Sequence, residues 1–94
     1  MSELPQAITL NPEVVFTDVG NKEAVLLHLG TKKYYSLNET GVYIWKMLEN
    51  GLTPNDVGQK LQNEFDISPS KAIESVLSLL NELVSEKLVE TSGG

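Results

Sequence analysis

The hydrophobic positions change period once along the chain. From Glu13 to Leu37 the apolar residues come in short runs: Val14-Val15-Phe16, then Ala24 to Leu27 with Leu29, then Tyr34-Tyr35 with Leu37. Asp18, Gly20 and Asn21 close the first run, and Gly30, Thr31 and Lys32 separate the second from the third. β-branched and aromatic runs joined by short Gly-containing turns predict an antiparallel meander, with strands near 13–18, 23–29 and 33–37.

After Leu37 the period becomes helical. Val42, Trp45 and Leu48 recur at helical spacing, with Ile44 beside them. Asn38 is a good N-cap, Glu39 suits the first turn and Gly51 supplies the stop, which predicts a helix over 39–50. Thr53-Pro54 restarts the chain, with Thr as cap and Pro at the first helical position. Val57, Leu61 and Phe65 form one stripe, so a second helix is predicted over 54–65. Ser68-Pro69 repeats the device and opens a third helix over 69–86, followed by a short extended segment at Leu88-Val89-Glu90. Residues 1–12, with Pro5 and Pro12 and no sustained period, read as a loose lead-in, and 91–94 as a flexible tail. The domain proper is 13–90. Strands followed by helices predict an α+β domain. The second and third helices, joined by Asp66-Ile67-Ser68, read as a helix-turn-helix pair. A three-stranded antiparallel sheet followed by three helices then predicts a winged helix-turn-helix.

The third helix is apolar over an unusually wide arc. At about 100° per residue, Ala72, Ile73, Val76, Leu77, Leu79, Leu80, Leu83 and Val84 span roughly 160°, against the roughly 100° an ordinary surface helix needs. Two causes are open. The helix is packed on two sides, or one edge of the stripe lines a groove for a partner. The candidates for that edge are Ala72, Val76, Leu79 and Leu83.

The strand Lys33 to Leu37 is the last before the helices and stands to be a sheet edge. An unpaired edge offers N–H and C=O groups for strand addition. Tyr34 and Tyr35 point to opposite faces, so one packs inward while the other faces out. An open strand edge beside an over-apolar helix is the pattern of a peptide-binding groove.

Composition narrows the function classes. The 94 residues suffice for one domain, and 40% apolar content supports a modest core. No apolar run approaches the roughly 18–20 residues of a membrane span. Met1 to Leu10 lacks a basic n-region and does not read as a secretory signal. There is no cysteine, which removes disulfides, thiolate metal sites and cysteine nucleophiles and fits a cytoplasmic setting. Seven cations, all lysine, stand against thirteen acids for a net charge of −6. Without arginine, and with Lys71, Glu74, Glu82 and Glu86 on the third helix, nucleic acid is a poor ligand. His28 is the single histidine and sits among leucines, where a packed or surface role outweighs that of ligand or base. Trp45 reads as core, with an N–H that needs an acceptor. No catalytic group, metal set or cofactor site emerges, so a non-catalytic binding module is favoured over an enzyme. A winged-helix regulator binding DNA or a partner protein is the alternative.

Leu37-Asn38, Thr40-Gly41, Ile44-Trp45 and Gly51 carry a family pattern: a strand ending in Leu-Asn, a small-residue helix start, an apolar pair and a terminal Gly. Thr53, Val57 and Leu61 follow, then Leu83 and Leu88-Val89 close it. Over about residues 13–90 the chain resembles the PqqD-like family. The resemblance implies a recognition element for ribosomally synthesised, modified peptides. Such an element binds the leader of a precursor and presents the core to a modifying enzyme such as a leader peptidase, cyclase or radical SAM enzyme. It implies a leader added as a strand to Lys33, Tyr34, Tyr35, Ser36 and Leu37, lying against Ala72, Val76, Leu79, Leu80 and Leu83. It implies no cofactor, no nucleic acid and no membrane. The chain departs from the arginine-rich pattern of true PqqD proteins of pyrroloquinoline quinone biosynthesis. The lean is therefore towards stand-alone relatives of lasso-peptide clusters.

Overall fold

A computed structural model describes residues 7–92. Five strands and three helices follow in the order β1 (Ala7–Leu10), β2 (Val14–Gly20), β3 (Glu23–His28), β4 (Lys33–Leu37), α1 (Glu39–Glu49), α2 (Pro54–Phe65), α3 (Pro69–Ser85) and β5 (Val89–Ser92). β2, β3 and β4 form an antiparallel sheet in that order, as the meander predicts. The turn between β2 and β3 is Asn21-Lys22, both left-handed at φ 55° and 62°. Paired left-handed residues match the right-handed twist of a hairpin. Between β3 and β4 the chain turns over Leu29 to Lys32, closed by the Lys32 N–H on the His28 carbonyl at 2.8 Å.

Each helix starts as its cap dictates. Asn38 Oδ1 accepts from the Gly41 N–H at 2.8 Å, Thr53 Oγ1 from Asp56 at 3.2 Å and Ser68 Oγ from Lys71 at 3.2 Å. α1 stops before Gly51, at φ 87°, and α2 stops at the left-handed Asp66.

The first correction concerns the chain ends. The sequence predicts no element before Glu13, yet Ala7–Leu10 is a strand paired antiparallel with β5, Leu10 opposite Val89 and Ala7 opposite Ser92. The apolar-polar alternation of Ile8 and Leu10 is too short, between two prolines, to signal a strand by itself. Its partner lies at the other end of the chain. β5 likewise runs past the predicted 88–90 into the expected tail. Residues 1–6 and 93–94 of the two expected flexible ends lie outside the described residues.

One core joins the layers. Leu26 and Leu37 of the sheet meet Ile44, Trp45 and Leu48 of α1, Val57 and Leu61 of α2, Ala72, Val76, Leu80 and Leu83 of α3, and Leu88 and Val89. Tyr43 and Phe65 pack edge to face at 5.4 Å, tying α1 to α2. Trp45 is buried as expected, but its Nε1–H has no hydrogen-bond partner among the described residues. His28 is buried at the base of β3. Its Nδ1 accepts from the N–H groups of Gly30 at 3.0 Å and Thr31 at 3.2 Å, and its Nε2 lies 3.1 Å from Asn11 Nδ2. It is a packed histidine that shapes the turn into β4. No helix among the described residues is long and apolar enough to cross a membrane.

Candidate functional site

β4 pairs with β3 on one side and with no strand on the other among the described residues. The edge that the sequence predicts is therefore open. Beside it runs a groove of about 700 Å³. Tyr35 to Asn38 form its strand side, the start of α1 (Thr40, Gly41, Ile44) closes one flank, and α3 forms the opposite wall. The tip of the β2–β3 hairpin, with Val19 and Glu23, reaches its end.

Side-chain alternation sorts the strand residues. Lys33, Tyr35 and Leu37 share the face turned towards the helices, where Leu37 is 3% exposed and Tyr35 half-buried. Tyr34 and Ser36 share the outer face, and Tyr34 is 73% exposed. Tyr34 stands in a cross-strand row with Leu27 and Val15.

α3 places four of its five expected contact residues in the core. Ala72, Val76, Leu80 and Leu83 are core residues, each no more than 2% exposed, and none lines the groove. Of the five helix candidates only Leu79 does. The wall is made instead by Lys71, Glu74, Ser75, Ser78, Leu79 and Glu82. On a wheel of about 100° per residue these occupy the polar side next to Leu79, while Ile73 and Leu77 stand at the far edge of the apolar arc. Ile73 approaches Gly58 of α2, where an added Cβ would meet its Cγ1 at 4.0 Å. The wide arc thus shows both causes: the helix is packed from two sides, and its Leu79 edge lines the groove. A sequence signal for the true wall did exist. Ser75 and Ser78 are short side chains one turn apart, and they leave room where long charged residues would fill it.

Tyr35 bridges the groove at one end. Its hydroxyl donates a hydrogen bond to Glu82 Oε1, joining β4 to α3. Burial, then this bond, then the charges of Glu82 and Glu86 push the Tyr35 pKa up to about 12. The rest of the wall alternates charge and hydroxyl: Lys71 and Glu74 at the α3 start, two serines in the middle, Glu82 beyond. Among the described residues no three His, Cys, Asp or Glu side chains are grouped to hold a metal ion.

Residues 23–89, most of the chain, match the family described as coenzyme PQQ synthesis protein D (PqqD). The chain belongs to the PqqD family. Two solved structures are similar to this PqqD-family chain over nearly its whole length. One is TbiB1 in complex with the TbiA(beta) leader peptide, at 27% identity and TM-score 0.83, covering 92% of this chain and 99% of that one. The other is a lasso peptide synthetase B1 complexed with the leader peptide, at 26% identity and TM-score 0.78, covering 88% and 96%. No curated protein sequence matches significantly. In this PqqD-family member an open backbone edge and a built wall coincide at the groove beside β4.

Proposed function

We propose that this chain captures the leader of a ribosomally synthesised precursor peptide by strand addition to β4 and presents it to a separate modifying enzyme. The observation that carries this reading is the open edge of β4 alongside the α3 wall. The likeness to two proteins solved with leader peptides supports it. An added strand takes its affinity from the backbone groups of residues 33–37 and its selectivity from side chains reaching the wall. Tyr35, Leu37 and Leu79 are the proposed groove contacts on that face. Lys33, Tyr34 and Ser36 contribute backbone or outer-face contact.

The role is non-catalytic: the chain binds and another protein reacts. The partner is a leader peptidase, cyclase or radical SAM enzyme. A lasso-peptide pathway is favoured because both similar structures are lasso or leader-complexed B1 proteins, and because the chain has no arginine. DNA binding has no such support, since the groove face of α3 carries two glutamates against one lysine.

The test is an NMR titration of the labelled chain with synthetic leaders encoded by neighbouring genes. Amide shifts clustered on 33–37 and on residues 71, 74, 75, 78, 79 and 82 are expected. A folded sample that shows no shifts with any leader would overturn the reading.

A further inference from the structure

Leader binding as proposed above leaves the chemistry of the captured strand undefined, and the α3 wall constrains it. A strand added to β4 turns every second side chain towards α3. Those side chains meet two different surfaces. One is apolar: Leu79, with Leu37 and Ile44 lining the same groove. The other is acidic: Glu82 lines the groove, and Glu86, the residue that caps the end of α3, stands about one turn beyond it.

Among the described residues no cation pairs with Glu82 or Glu86. The single ion pair among the described residues is Lys22 with Glu39, remote from Glu82. Lys33 lies on the same strand face as Tyr35 but makes no ion pair among the described residues. Lys71, the cation of the wall, stands eleven residues back along α3, roughly 16 Å by helical rise. It sits beside Glu74 at the opposite end, where the charges offset. The Tyr35 hydroxyl supplies Glu82 with one neutral donor, which satisfies one oxygen and leaves the charge in place.

We propose that the groove selects a leader strand bearing an apolar side chain and, two residues away on the same face, a lysine or arginine, the first packing on Leu79 and the second facing Glu82. The inference rests on the leader-binding reading. Spacing agrees with it. Same-face residues of a strand are ~6.8 Å apart, and Leu79 and Glu82 are ~4.5 Å apart along the helix. The stem of a basic side chain covers the difference and lies along apolar surface while its head reaches the carboxylate.

The experiment is selection of short random peptides displayed against the folded chain, with Glu82→Lys and Glu49→Lys variants in parallel. Both variants change net charge equally, and Glu49 lies on α1 away from the groove. Glu82 and Glu49 are exposed, so both variants are expected to fold, with circular dichroism as the check. The expected result is enrichment of an apolar residue and a basic residue two apart. Affinity for those peptides then falls about ten-fold in Glu82→Lys, as one lost and reversed charge contact allows, is unchanged in Glu49→Lys, and weakens with added salt. Enriched peptides without that basic residue, or a basic preference that survives Glu82→Lys, overturn the inference and leave leader binding standing. No enrichment of any peptide overturns both.

Discussion

The hydroxyl of Tyr35 on β4 donates to the carboxylate of Glu82 on α3, 47 residues away in sequence. This contact ties the open strand edge to the wall that faces it. It also holds the phenol neutral. Burial raises the Tyr35 pKa first, and Glu82 and Glu86 add to it, to about 12.

A phenol whose folded pKa lies above its unfolded value, about 10, contributes stability that is present below pH ~10 and is lost as pH rises towards 12. In Glu82→Gln the acceptor charge goes, so the Tyr35 pKa falls while the burial contribution stays. Tyr43, raised by burial and then by Glu64, serves as the internal control and does not move. Ultraviolet titration of tyrosinate reads both, and an unchanged Tyr35 in the variant would refute the assignment.

Leu79 and Leu80 are neighbours in sequence with opposite duties. Leu80 is 2% exposed in the core and Leu79 borders the groove. Leu80→Ala is expected to cost about 2–5 kcal/mol of stability through the cavity it leaves, seen as a drop in denaturant midpoint. Leu79→Ala is expected to cost less stability and to weaken peptide binding. Equal stability losses with unaltered binding would contradict the placement of the groove.

Lys22 holds a left-handed backbone at φ 62° in the β2–β3 turn. Glycine adopts that conformation without a Cβ penalty, and Asn-Gly is the favoured pair for such a turn. Lys22→Gly is therefore expected to stabilise the fold by about 0.5–1 kcal/mol. The ion pair it removes, 3.7 Å from Glu39 and largely solvent-exposed, contributes little. Thermal unfolding measures the sign, and a lower midpoint would count against this account.

Asn11 clasps the terminal sheet. Its side-chain amide donates to the Lys87 carbonyl at 3.0 Å, its Oδ1 accepts from the Glu13 N–H at 2.9 Å, and its backbone N–H donates to the Leu88 carbonyl. Asn11→Ala removes these two side-chain bonds together with the contact to His28 Nε2 and is expected to cost about 1–2 kcal/mol. Amide exchange should quicken in residues 7–10 and 89–92 ahead of the β2–β4 sheet. Uniform quickening throughout would show that the terminal sheet is not a separate unit of stability.

Much of this was legible in the chain. The caps Asn38, Thr53 and Ser68, the prolines after two of them and the turn residues sit where local hydrogen bonding and backbone sterics place element ends, and these act over a few residues. The open edge of β4 was legible as well, since a meander that runs into helices leaves its last strand without a partner. The wall of the groove was anticipated only at Leu79. Apolar character marked Ala72, Val76, Leu80 and Leu83, and burial took all four, because the most apolar line of a helix goes to the core before it goes to a ligand.

By itself, then, the sequence determined the order of elements from β2 onward, the helix caps, and the arc of α3 that leaves water. Tertiary structure alone decided that Ala7–Leu10 finds β5, and that the polar side of α3, from Lys71 to Glu82, faces β4. Periodicity states which side of an element is apolar. Pairing across the whole chain and the choice of neighbour for each edge of that side depend on contacts between distant segments, and no local pattern encodes them.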